Sequence, residues 1–105
     1  REGLAELLRA KRRIDAVFCS SDLLALGVST EARVRGLSMP DQLAVVGFGD
    51  MEFAGALEPA LTTVRINGAV IGRQAAQFIV DRAEGRAVPQ RVVDIGFSIV
   101  ERASA

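Results

Sequence analysis

Three short apolar runs in this sequence are each followed at once by polar or small residues. The segments at these exits are Cys19–Ser20–Ser21–Asp22, Phe48–Gly49–Asp50 and Arg65–Ile66–Asn67. Their hydroxyl, carboxylate, guanidinium and amide groups can donate and accept hydrogen bonds to a hydroxylated small molecule. If the runs are parallel strands, the exits meet at one edge of a sheet, where ligands of such sheets bind. The candidate binding residues are Ser21, Asp22, Phe48, Gly49, Asp50, Arg65 and Asn67.

Each of these features also has a purely structural interpretation. Ser21 and Asp22 fit a plain helix cap followed by an acidic first turn. Residues 47–50 resemble half of a dinucleotide fingerprint, but the third glycine is missing, so a tight strand exit is favoured. A lone arginine such as Arg65 is commonly a surface charge.

Catalytic chemistry finds little support in the residue types present. The chain has no histidine, which excludes Ser-His-Asp catalysis and histidine-ligated metals. Its single cysteine, Cys19, lies in an apolar run and is expected to be an inert core thiol. Asp22, Asp50 and Glu52 lack a further well-spaced ligand for a hard metal. We therefore expect a non-enzymatic protein without a metal or cofactor.

The elements that must position the exits alternate between helix and strand. With 105 residues and 50% hydrophobic content, the chain is large enough for one domain. The pattern predicts an α/β fold: a Rossmann-like, largely parallel sheet with flanking helices. The predicted strands are residues 15–20, 43–48, 61–66 and 93–99; the predicted helices are a first one ending near Lys11 and Arg12, then 22–35, a short one over 51–57, and 68–83.

The predicted helix over 22–35 has two apolar stripes. Leu24, Ala25, Val28 and Ala32 form the stripe expected to face the sheet. Leu23, Leu26, Thr30 and Val34 lie on the other side, which the sheet cannot cover. A second stripe implies another packed surface, either a neighbouring helix of the same chain or a subunit interface.

Charge and hydropathy limit the partners. Thirteen basic residues balance thirteen acidic ones, so this chain alone lacks the positive excess by which proteins hold DNA. No apolar run approaches the about 20 residues that span a bilayer, and we expect a soluble chain with no membrane partner. The sequence begins at Arg1 without an initiator methionine, apparently inside a helix, which indicates a piece of a longer polypeptide.

Five motifs, in order, resemble the lactose-repressor/galactose-repressor family of bacterial transcription regulators. They are the segment 15–27 (DAVFCSSDLLALG), residues 36–40 with 43–48 (GLSMP, LAVVGF), residues 59–64 (PALTTV), Ile71–Gly72 with Ala75–Ala76, and the ending 99–104 (IVERAS). The resemblance covers essentially the whole chain. It implies the C-terminal part of a type I periplasmic-binding-protein-like fold, with residues 1–105 as a portion of the effector-binding and dimerisation domain.

The resemblance also implies partners and a location. A small effector would bind in the cleft between two lobes, and a homodimer would form through Leu23, Leu26, Thr30, Val34 and Leu57. Operator DNA would be contacted only through a helix-turn-helix headpiece absent from this chain, in the cytoplasm. The helix over 68–83 would belong with the missing first lobe.

Two departures from the family pattern bear on the effector. Ser21 replaces the usual asparagine before the central helix, and Gly49 takes the position of the first acidic residue after the strand. Loss of that acid favours an anionic ligand, because a buried carboxylate would repel one. The form Gly47–Phe48–Gly49–Asp50 is similar to the gluconate-utilisation repressor branch, so the predicted effector is a sugar acid such as gluconate, or a sugar. The alternative is a fragment of a periplasmic sugar-binding transport protein with the same fold.

Overall fold

The computed structural model describes residues 1–10 and 13–105, and it confirms the predicted α/β fold. Lys11 and Arg12, predicted at the end of the first helix, lie outside the described residues. The elements are α1 (Glu2–Arg9), β1 (Ala16–Phe18), α2 (Asp22–Val34), β2 (Ala44–Phe48), a 3-10 turn (Ala54–Ala56), β3 (Thr62–Arg65), α3 (Gly68–Ala83) and β4 (Ser98–Val100).

The four strands form one sheet in the order β1-β2-β3-β4. β1, β2 and β3 are parallel, with Phe18 opposite Val46 and Phe48 opposite Val64. β4 runs antiparallel to β3 and pairs Arg65 with Ser98. The carboxyl ends of the three parallel strands therefore lie at the same edge of the sheet, as the sequence predicts for a ligand site of this fold class.

Helix α2 packs against the sheet and begins and ends where the sequence predicts. Ser21 is the N-cap, with its hydroxyl oxygen accepting from the Leu24 amide at 3.2 Å. Gly36 follows the helix with φ +72°, a conformation that favours glycine. The buried apolar core comprises Leu4, Cys19, Ala25, Val28, Ala32, Leu43, Val45, Ala54 and Leu61.

The stripe predicted to face the sheet is wrong at one position, because Leu24 is 57% exposed. Asp22 and Ser29 are buried instead, together with Ala25 and Ala32. The helix is thus rotated so that its first residue points inward, which moves Leu24 away from the sheet. A pattern based on hydrophobicity alone cannot anticipate a buried aspartate.

Two predicted elements are shorter than expected. The strand predicted over 93–99 begins only at Ser98, since Gly96 adopts φ +72° and its amide donates to the Asp94 carboxylate at 2.8 Å, which forms a turn. The helix predicted over 51–57 is a single 3-10 turn. Its residue Ala54 is buried and accepts from the Leu61 amide, so the segment leads directly into β3.

The chain divides into two units. The first contains residues 1–65 and 98–105 and holds the sheet, α1 and α2; the second is 66–97 and contains α3. Asn67 caps α3 by accepting from the Val70 amide, and no residue of α3 is buried. Among the described residues, no helix is both long enough and apolar enough to cross a membrane.

Candidate functional site

A fully buried aspartate organises the carboxyl edge of the sheet. Asp22, the first residue of α2, has no solvent exposure. Its Oδ1 accepts a hydrogen bond from the Thr63 hydroxyl at 2.6 Å, and its Oδ2 accepts one from the Met51 amide at 2.7 Å. Asp22 therefore joins α2 to β3 and to the segment after β2. The sequence indicated either a ligand contact or a simple complement to the helix dipole, and neither interpretation includes these two partners.

The close approach of Asp22 requires glycine in β2. A Cβ atom at Gly47 would collide with Oδ1 of Asp22, and it would also lie 3.0 Å from Cδ2 of Leu61 and 3.3 Å from Cβ of Ala25. The backbone of β2 thus leaves the space that the carboxylate occupies. The glycine in the strand is explained by packing, as is common where side chains approach a strand closely.

The exit of β2 turns sharply through two left-handed residues. Gly49 has φ +122° and Asp50 has φ +51°. The Gly49 amide donates to the Val64 carbonyl at 2.8 Å, and the Asp50 amide contacts the Thr63 hydroxyl oxygen at 3.4 Å. A non-glycine residue in this region is uncommon, and aspartate is among the types that tolerate it. The turn places the Asp50 side chain beside the end of β3.

Two arginines hold the carboxylate of Asp50. Nε of Arg65 donates to Oδ2 at 2.7 Å, and Nη2 of Arg102 donates to Oδ1 at 2.8 Å. The Asp50 side chain is 12% exposed, whereas that of Arg65 is 56% exposed and that of Arg102 is 21% exposed. Hydrogen bonds from Arg102 and then Arg65 lower the pKa of Asp50 below the ordinary aspartate value.

The C-terminal tail contributes residues to this site that the sequence analysis did not identify. Arg102 also donates from Nη1 to the Leu61 carbonyl at 2.9 Å. Ser104 is fully buried; its hydroxyl donates to the Val45 carbonyl at 2.6 Å and accepts from the Thr62 amide at 2.8 Å. The signal for them was the ending of the family motif, which contains both Arg102 and Ser104. Thr63, the partner of Asp22, carried no local signal beyond its place in a strand.

The remaining predicted binding residues have varied surroundings. Ser21 uses its hydroxyl oxygen as the cap of α2, and Phe48 is half-buried at the end of β2. Asn67 belongs to the unit 66–97, in which it caps α3. Within the first unit, the hydrogen bonds connect Asp22, Asp50 and Arg65 through Thr63. These three are the predicted site residues that the structure joins in one network.

The residues predicted for a subunit interface differ in exposure. Leu23 and Val34 are 60% and 68% exposed on α2. Leu26 and Thr30 are half-buried, and the Thr30 hydroxyl donates to the Leu26 carbonyl at 2.8 Å. Leu57 packs partly against the core. The interface itself stays a prediction.

Other side chains with reactive or ligand-binding groups have structural roles. Cys19 is buried, and desolvation raises the pKa of its thiol, as expected for an inert core cysteine. Among residues 1–10 and 13–105, no group of three or more acidic or cysteine side chains is placed to hold a metal ion. An open, mostly apolar groove of about 640 Å³ lies between α1 and α2, lined in part by Leu7, Phe18 and Leu24. It is separate from the strand exits.

The whole chain is similar to regulatory proteins of one kind. Residues 1–105 match the family model described as a periplasmic binding protein-like domain. The HTH-type transcriptional regulator GntR of Pseudomonas aeruginosa is 35% identical over 103 residues, which cover 98% of this chain and 30% of that protein. The HTH-type transcriptional repressor CytR of Escherichia coli is 33% identical over 87 residues, or 83% of this chain and 26% of the repressor.

A solved structure extends the similarity to three dimensions. The transcriptional regulator CelR, in a complex with cellobiose, superposes with a TM-score of 0.91 at 32% identity, covering 97% of this chain and 31% of that one. The chain thus spans about a third or less of the length of these relatives. All three are named as transcriptional regulators or repressors rather than enzymes.

The lowered pKa of Asp50 predicts how stability depends on pH. A carboxylate whose native pKa is depressed stabilises the fold fully above the ordinary aspartate value of about 3.9, and this contribution is lost as the pH falls through the native value. In the full-length protein, Asp50→Asn should lower the free energy of unfolding by about 1–3 kcal/mol at pH 7. The difference from wild type should shrink progressively below about pH 4.

Urea unfolding of both proteins at a series of pH values measures this difference. Asp41→Asn is the matched control, since Asp41 is exposed and its replacement should change the free energy of unfolding by less than about 0.5 kcal/mol. A gap between Asp50→Asn and wild type that stays constant from pH 7 to pH 3 would contradict the ion pairs with Arg65 and Arg102.

Proposed function

This chain belongs to the periplasmic binding protein-like domain family, and we propose that it forms the effector-binding and dimerisation part of a lactose-repressor-type transcription repressor. The observation that carries the proposal is that the match covers all 105 residues while the relatives are regulators in both sequence and structure. The balanced charge of the chain agrees with this role, because DNA would be read by a headpiece outside it. Such a repressor acts in the cytoplasm.

The proposed effector is a sugar or sugar acid, with gluconate as the leading candidate, bound at the carboxyl edge of the sheet. Support comes from the meeting of polar groups there and from Gly49, which leaves the first position after β2 without a side chain. The relatives differ among themselves, since CelR was solved with cellobiose. A regulator is favoured over the transport-protein alternative because the similar proteins named above are transcriptional regulators.

The proposed mechanism is allosteric. Effector binding at the strand exits changes the arrangement of the lobes, and this changes how a dimer presents two DNA-reading headpieces. The dimer would use the α2 face formed by Leu23, Leu26, Thr30 and Val34, with Leu57 nearby in sequence to the β2 exit. The exposure of Leu23 and Val34 supports this face, because large apolar side chains left in water favour association.

A ligand screen tests the effector proposal. In the full-length protein, gluconate should raise the Tm, and Gly49→Asp should weaken gluconate binding at least tenfold because it places a carboxylate beside the anionic ligand. Since Gly49 has φ +122°, every L-residue there is strained, so Gly49→Asn is the control with a similar backbone cost and no charge. Equal gluconate affinity of the Asp and Asn variants would contradict the electrostatic argument. A folded protein whose Tm responds to no sugar or sugar acid would contradict the effector function.

Sedimentation tests the dimer proposal. Leu26→Asp should weaken self-association of the full-length protein at least tenfold, because an unpaired charge would be buried at the contact. Leu7→Asp is the control: Leu7 is a partly exposed leucine on α1, outside the α2 face, and its replacement should leave association unchanged. A wild-type protein that sediments as a monomer at tens of micromolar would rule out this interface.

A further inference from the structure

The β2 and β3 exits carry an uncompensated positive charge. Asp50 supplies one carboxylate, while Arg65 and Arg102 both donate to it, so the three side chains have a formal charge of +1. Asp22 does not alter this local balance, because its two oxygens are occupied by the Thr63 hydroxyl and the Met51 amide. A group of two guanidiniums around a single carboxylate can accept a second anion.

The two arginines are not equivalent. Arg102 is largely buried and makes a second hydrogen bond to the Leu61 carbonyl, and its backbone amide donates to the Thr62 hydroxyl oxygen. Arg65 is more than half exposed and donates to Asp50 through Nε alone. Among the residues that the structure describes, its two terminal nitrogens have no hydrogen-bond partner. Arg65 therefore presents unused donors to solvent at the edge where the effector is proposed to bind.

We propose that Arg65 is the specificity-determining residue that binds the carboxylate of an anionic, polyhydroxylated ligand; this rests on the proposed effector function. The guanidinium fork matches a carboxylate in a bidentate arrangement, which a neutral sugar cannot reproduce. Arg102 makes this exchange possible because it keeps Asp50 paired. When Arg65 turns to the ligand, Asp50 remains with Arg102, and the ligand carboxylate pairs with Arg65. No charge is left without a partner.

The exchange distinguishes Arg65 from a residue that merely fixes Asp50. If Asp50 and the ligand compete for Arg65, removing the charge of Asp50 should strengthen anion binding. If Arg65 only supports the position of Asp50, loss of either partner should damage the site in the same way. Asn is the suitable replacement, since Asp50 has φ +51° and asparagine tolerates that conformation.

The test uses calorimetric titration of the full-length protein with gluconate, glucuronate and galacturonate, and with glucose and galactose as neutral counterparts. Arg65→Gln should lower the affinity for the bound sugar acid at least tenfold and change the affinity for a neutral sugar less than twofold. Arg65→Lys should fall between wild type and Arg65→Gln, because it keeps the charge without the planar fork. Asp50→Asn should bind the acid as tightly as wild type or more tightly, and thermal unfolding checks that each variant is folded.

Several outcomes would overturn the assignment. Binding of neutral sugars but of none of the three acids would exclude a carboxylate site while leaving the effector function intact. Unchanged acid affinity in Arg65→Gln, or an equal loss in Arg65→Gln and folded Asp50→Asn, would show that Arg65 has only a structural role. A folded wild-type protein that binds none of the five compounds would contradict the proposed function itself and the role of Arg65 with it.

Discussion

The burial of the Asp22 carboxylate constrains more of this structure than any other single interaction. Moving an ionisable group out of water costs several kcal/mol unless hydrogen bonds replace the lost hydration. Thr63 and Met51 provide these bonds, and Gly47 provides the space. One side chain thereby relates the start of α2, the end of β3 and the segment that follows β2. The rotation of α2 that exposes Leu24 follows from the same requirement.

The C-terminal tail stabilises the other side of this arrangement. Ser104 bridges β2 and β3 through the Val45 carbonyl and the Thr62 amide, while Arg102 reaches from the tail to Asp50. The last residues of the chain thus hold both the body of the sheet and its carboxyl edge. Arg102 fixes one oxygen of Asp50, which leaves the more exposed Arg65 as the member of the group that can respond to a ligand. The shape and the charge of the strand exits depend on residues distant in sequence.

Local patterns were sufficient for the elements and for the location of the candidate site. The alternation of apolar runs with amphipathic segments predicts the parallel strands, and Asn67 and Gly85 enclose α3 over the residues at which it is observed. The same patterns predict that Asp22, Asp50 and Arg65 lie at one edge. They are local signals, because capping and periodicity act within a few residues.

Contacts between distant residues were not accessible to this reasoning. Asp22 and Thr63 are 41 positions apart, and Arg102 and Asp50 are 52 apart. Nothing in either neighbourhood indicates the partner, so Asp22 was interpreted as a helix-terminal charge and Arg102 only as part of a family motif. The extra length predicted for the last strand has a local cause: alternating apolar residues suited a strand, but the turn at Gly96 ends the extended conformation.

A double-mutant cycle on Asp22 and Thr63 tests the central interaction most directly. Asp22→Asn, Thr63→Val and the double variant are compared with the wild-type full-length protein by urea unfolding. The structure predicts a coupling free energy of about 1–3 kcal/mol between the two sites, since each single change removes the same buried hydrogen bond. Asp22→Asn combined with Glu31→Gln serves as the control pair, and those effects should add. Additive effects of Asp22→Asn and Thr63→Val, with a coupling below about 0.5 kcal/mol, would contradict the role assigned to the buried carboxylate.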